Sequence, residues 1–148
     1  MKKDRRHRAR EAALQILYQW EIGQRDVTAA AETVLDLQWA DAQPPSDAIR
    51  QFATALAHET VRRLDAVDAL IGETAERWRP ERMAVLDRLI LRMAICELLQ
   101  AQAPPAVIIN EALELARTFS TEDAVKFING MLDTIRKKLE AANTAESR

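Results

Sequence analysis

Leu86-Asp87-Arg88-Leu89-Ile90-Leu91-Arg92-Met93-Ala94-Ile95-Cys96-Glu97-Leu98 is the stretch that decides the fold. Leu86, Leu89, Ile90, Met93 and Ala94 recur three or four residues apart, and most of their neighbours through Leu99 are apolar as well. A helix that is apolar on most sides is buried on most sides. The segment therefore predicts a central helix, with other helices packed around it.

Downstream, Pro104 and Pro105 break the chain and lead a helix over about 106–118, with Ile108, Ala112, Leu115, Ala116 and Phe119 as its stripe. Ser120 or Thr121 can cap a last helix, with Glu122 and Asp123 in its first turn. Ala124, Ile128, Met131, Leu132, Ile135 and Leu139 form its stripe, and the tail over 141–148 is expected to fray. Upstream, Ala9, Ala12, Ala13, Ile16, Leu17 and Trp20 make an apolar stripe on the helical period, which Gly23 should end. Val27, Ala30, Ala31, Val34 and Leu35 suggest a second helix around 27–39. The segment 40–46 (ADAQPPS) reads as a loop, with Ser46 the N-cap of a third helix. A long stripe then runs from Ile49 through Phe52, Ala53, Leu56, Thr60, Leu64 and Val67 to Ile71. Past Gly72 it bends into ETAERWRPER, where Pro80 starts the next helix.

The expectation is an all-α protein, a two-lobed bundle of about six to seven helices, with the loop over 40–46 separating the lobes. A chain of 148 residues fits one domain over 1–148. Three Gly and five Pro leave little turn material for an all-β fold. One cysteine, Cys96, sits in an apolar run and allows no internal disulfide, which suits a reducing cytoplasm. No signal peptide or membrane span is expected, and the cytoplasm is the expected location.

The formal net charge of -2 conceals an asymmetry. Residues 1–10 hold six bases and one acid, net +5, and the other 138 hold 15 bases and 22 acids, net -7. A basic head on an acidic body is the pattern of a polyanion-binding arm. Arg5, Arg6, Arg8 and Arg10 dominate it, and Arg favours bidentate phosphate contact and base stacking. Arg6 and Arg10 are four apart, on one helix face. The alternative is a solubilising tail, but the arginines run directly into a well-formed helix.

Two aromatic residues stand apart from their stripes. Phe127 lies about 100° around its helix from Ile128, next to Lys126, so it can offer a stacking face to an unpaired base. Spacing alone equally allows it to cover a lobe boundary. Tyr18 is likewise off the main stripe of its helix, within reach of Leu14. Gly130, inside the last helix, marks close packing or close approach by a partner backbone. Catalytic patterns are missing. His7 and His58 belong to no metal-spacing motif, three scattered glycines cannot form a phosphate loop, and helical carboxylates form solvated faces or ion pairs. A binding protein without cofactor or metal, not an enzyme, is expected.

Three blocks resemble the NusB transcription antitermination family, in its order and spacing. They are RRHRAREAALQILYQWE (Arg5 to Glu21), LDRLILRMAICEL (Leu86 to Leu98) and INEALELARTFSTEDAVKFINGMLD (Ile109 to Asp133). The resemblance covers nearly the whole chain. It implies a two-lobed helical bundle that binds the boxA element of nascent ribosomal RNA together with NusE, a small-subunit ribosomal protein. It further implies assembly with other Nus factors on RNA polymerase, and no catalysis. It places Arg5, Arg6, Arg8, Arg10 and Tyr18, with Asp123, Lys126 and Phe127, at the RNA surface, and Asp87 and Arg88 at the NusE surface. His7 stands where a further Arg is common, and Asn110 and Glu111 read as a cap and a structural contact. Two other readings remain open on the sequence. One is a helical protein-binding adaptor or homodimer without an RNA role. The other is the RNA-binding module of an rRNA cytosine methyltransferase, of which this chain would be a piece.

Overall fold

The computed structural model describes residues 2–75 and 79–146. The side chains of Lys2, Lys3 and Asp4, part of the bend in ETAERWRPER, and the end of the tail lie outside the described residues. Those described form seven α-helices and no strand: α1 (Lys2–Glu21), α2 (Val27–Glu32), α3 (Asp47–Arg62), α4 (Leu64–Thr74), α5 (Val85–Gln100), α6 (Pro105–Phe119) and α7 (Glu122–Glu146). They fall into two compact units, residues 1–62 and 63–148.

In the first unit α1 packs along α3, and α2 against both. The stripe of α1 is rich in alanine, and Ala9, Ala12, Ala13, Ile16 and Leu17 are all buried; α3 contributes the buried Ala53, Leu56 and Ala57. Asp26 caps α2 by accepting hydrogen bonds from the Thr28 and Ala29 amides. After Glu32 the helix widens into a π-turn, Thr33–Leu37, closed by a bond from the Gln38 amide to the Thr33 carbonyl. Ser46 caps α3 as expected, its Oγ accepting from the Ile49 amide at 3.3 Å. Gly23 follows the end of α1, but its φ is not positive; the left-handed residue is Gln24, at φ 52°. Space is the reason for glycine there, since a Cβ would lie 2.7 Å from the Gln19 carbonyl oxygen.

In the second unit α5 packs against α4, α6 and α7. Every side chain from Arg88 to Leu98 is buried, so α5 is the centre of this unit, as its all-round apolarity predicts. Thr121 caps α7 through its Oγ, 3.1 Å from the Ala124 amide. Arg92, 6% exposed, donates from Nε and Nη2 to the two carboxylate oxygens of Asp68, each at 2.9 Å, tying α5 to α4.

Four expectations are corrected. The boundary between the units falls at Arg62 and Arg63, not in the loop over 40–46, which belongs to the first unit. The stripe from Ile49 to Ile71 is not one helix: it breaks at Arg63 (φ -96°, ψ 13°). Its periodicity survives the break because the two halves pack on different cores, α3 on α1 and α4 on α5 and α7. Pro80 opens a single 3₁₀ turn, Pro80–Arg82, and the helix begins at Val85. The chain from Ala141 does not fray at once but stays helical through Glu146.

Candidate nucleic-acid interface

The residues expected to meet RNA divide between the two units. In the first, the basic arm is the opening of α1, so its arginines are held at helical spacing. Arg5 and Arg6 are exposed and make no ion pair with a described residue. The Arg6 guanidinium lies over the Phe52 ring, 4.6 Å from its centroid. Such a cation–π contact holds a flexible side chain in one plane while leaving its donors free. Arg8 is 2.7 Å from the Asp41 carboxylate and lies over the Trp39 ring at 5.2 Å. His7 meets Glu11 at 2.9 Å one turn on. Tyr18 is 42% exposed, off the buried stripe as its spacing suggests.

Arg10 differs from the expectation of a surface cation. It is 3% exposed, and its guanidinium also lies over the Phe52 ring, at 5.2 Å. The reason is its place on the helix: Arg10, Ala13, Leu14 and Leu17 fall at i, i+3, i+4 and i+7, so Arg10 belongs to the apolar stripe. Arg6 and Arg10 do share a face, and on that face both meet Phe52. Arg10 is a packing residue of the α1–α3 contact.

In the second unit Asp123, Lys126, Phe127 and Gly130 follow one another at i, i+3, i+4 and i+7 on α7 and are all exposed. Phe127 is 42% exposed, while Ile128 and Met131 turn into the core. The cations farther along α7 are engaged. Arg136 bridges Asp133 at 2.8 Å and Glu140 at 3.0 Å, and Lys137 meets Asp133 at 3.1 Å. The hydrogen bond from Arg136, reinforced by Lys137, holds the Asp133 carboxyl below the usual carboxylate range. Lys126 is exposed beside Phe127, one turn on from the acidic Asp123.

Gly130 resolves one of its two readings. A Cβ there would meet nothing within 4 Å, so packing inside the chain does not call for glycine. Gly130→Ala should therefore raise the stability of the free protein by about 1 kcal/mol, the cost of glycine in a helix interior, measurable by chemical or thermal unfolding.

Asp87 and Arg88, expected at a protein interface, open α5. Arg88 is 9% exposed and donates from Nη1 to the Met83 carbonyl at 3.4 Å, so it faces inward rather than toward a partner. Asp87 is half-buried in the first turn, and its Oδ1 is buried without a hydrogen-bond partner among the described residues. Phe52, Trp39 and Asp41, which orient the arm, are not legible as such. Phe52 reads as one more member of an apolar stripe, and no local spacing links any of the three to α1.

The family model described as the NusB family matches residues 7–137. The transcription antitermination protein NusB of Solibacter usitatus is 42% identical over 143 residues, covering 97% of this chain and 96% of that protein. That of Koribacter versatilis is 40% identical, covering 96% and 95%. Among solved structures, T. maritima NusB superposes with a TM-score of 0.79 at 34% identity, covering 89% of this chain and 90% of that one. A chain in the complex of antitermination factors NusB and NusE with double-stranded RNA superposes at 0.79 and 22% identity, a likeness of fold.

Proposed function

The chain belongs to the NusB family of transcription antitermination proteins, and from that premise we propose that it binds the boxA element of nascent ribosomal RNA together with NusE and helps assemble other Nus factors on RNA polymerase. It is an RNA-binding factor and not an enzyme. Among the described residues no helix is long and apolar enough to cross a membrane.

The observation that carries the assignment of residues is Phe127, an exposed aromatic outside the core stripe of α7 with the exposed Lys126 at its side. Sequence-specific RNA recognition is concentrated on unpaired bases, which stack on such rings. Tyr18 offers a second ring on α1. Arg5 and Arg6 supply phosphate contact, which orients RNA without reading its sequence. Arg8 contributes in competition with Asp41, and Arg10 contributes by holding Phe52, over which Arg6 lies. Asp123, on the Phe127 face, accepts a hydrogen bond from a base amino group or limits affinity by repulsion. For NusE, Asp87 is the better candidate of its pair: its side chain is half-buried and so partly accessible in the first turn of α5, whereas Arg88 is engaged inside.

Replacing Arg5 and Arg6 together by Ala tests the arm. Each phosphate contact with a single strand contributes about 0.7 to the slope of log K against log salt. The double variant should bind boxA RNA more weakly, with a slope shallower by about 1.4, and melt close to the parent. An unchanged slope removes the arm from the RNA interface. In the alternative reading, a homodimer whose second copy covers these residues, sedimentation shows a dimer that RNA does not dissociate.

A further inference from the structure

Beside the first turns of α1 and α3, inside the first unit, lies a cavity of about 270 Å³ lined by Arg5, Arg6, Ala9, Ala48, Ile49 and Phe52. Four of these residues have no part in the interface the sequence predicts. The cavity has two kinds of wall. Ala9 and Ile49 are buried and apolar, and none of the described side chains fills the space beside them. Arg5 and Arg6 are exposed cations, and Arg6 is already flattened against Phe52.

A ligand for such a space needs a flat apolar body and a negative charge. A guanidinium plane suits an aromatic ring, and its fork of donors suits a phosphate. A nucleotide has both parts. A base within a duplex is stacked on either side and cannot enter, whereas a base in a single strand can be splayed out.

Resting on the RNA-binding reading, we propose that this cavity seats one unpaired nucleotide of the bound RNA, with its base against Ala9, Ile49 and the face of the Arg6 guanidinium and its flanking phosphates on Arg5 and on the in-plane donors of Arg6. Phe52 is a positioning residue, since it acts by fixing the plane of Arg6. The seat adds shape selection to an arm that would otherwise contribute charge alone. It favours single strands over duplexes at the end of the protein where the basic residues cluster.

Ala48 gives the test, because it lines the cavity, is exposed, and lies in the first turn of α3. Ala48→Leu fills the space without changing charge. With single-stranded boxA RNA as probe, affinity should fall about tenfold, with the salt slope and melting temperature unchanged. Affinity for a duplex of the same sequence should not change. Ala48→Ser leaves the cavity open and should bind as the parent does. A parent that binds the single strand while Ala48→Leu binds it equally well overturns the seat and leaves the RNA-binding reading standing. A parent that binds neither RNA overturns both. Should Ala48→Leu lower the melting temperature, the parent is titrated with uridine monophosphate. The Ala48 and Ile49 methyl resonances are then expected to shift, and resonances that stay in place overturn the proposal.

Discussion

Asp68→Ala is expected to lower the unfolding free energy by about 2–4 kcal/mol, a large effect for one exposed-edge carboxylate. Arg92 is 6% exposed at the middle of α5, and its guanidinium makes two parallel 2.9 Å bonds to the Asp68 carboxylate on α4. Removing the acid strips a buried cation of this bidentate carboxylate, and breaking such a pair costs about 3–5 kcal/mol when both partners are fully desolvated. The Asp68 side chain retains 29% of its exposure, so water already screens part of the interaction and the expected cost is lower. The net contribution of the pair is a different quantity. Replacing both residues with apolar ones, Asp68→Leu with Arg92→Met, should recover most of the loss, because buried ion pairs exchanged for packed hydrophobes are often neutral. Urea denaturation of the two single variants and the double variant measures the coupling directly. A loss under about 0.5 kcal/mol for Asp68→Ala would make the pair no better than a surface contact.

Phe127→Ala is expected to weaken boxA binding by about 1–3 kcal/mol, the range for one stacked base. Phe127 is 42% exposed, so truncation removes part of its covered area but opens no enclosed cavity in the core. The melting temperature should fall modestly, so binding is measured well below the transition. Binding titrations at fixed salt, with the melting curve of the same preparation, separate the two roles. Normal RNA binding combined with easier unfolding would return Phe127 to the core. Lys126→Ala should produce a smaller loss with a shallower salt slope, because a point charge contributes through counterion release and not through stacking.

The helices legible in the sequence are those whose apolar stripe serves a single core. The stripes of α1, α6 and α7 and the all-round apolarity of α5 correspond largely to buried residues; Phe119, expected in the α6 stripe, is instead 39% exposed because it stands at the last position of its helix. Periodicity is least informative where one stripe serves two cores. Nothing in the residues from Ile49 to Ile71 signals the break at Arg63, because neither glycine nor proline stands there and the pattern continues across it. The π-turn after Glu32 and the 3₁₀ turn at Pro80 are adjustments of tertiary packing that composition does not encode.

The candidate interface divides in the same way. Phe127 and Tyr18 can be found because a large aromatic off its stripe has to be exposed or covered by another surface. Arg10 misleads because its charge masks its position; its spacing from Ala13, Leu14 and Leu17 already places it inward. The anchoring of the arm on Phe52, Trp39 and Asp41 joins residues far apart in sequence, and a single chain read without its fold carries no trace of it.

Sequence-selective RNA binding strengthened by NusE is decided by titrating boxA RNA and a scrambled RNA of equal length against the protein, each with and without NusE. The boxA strand should bind more tightly than the scrambled one. The difference should widen when NusE is present, since a partner that favours the bound state raises affinity by linkage. Equal affinities for the two strands, unaffected by NusE, would contradict boxA recognition by this protein.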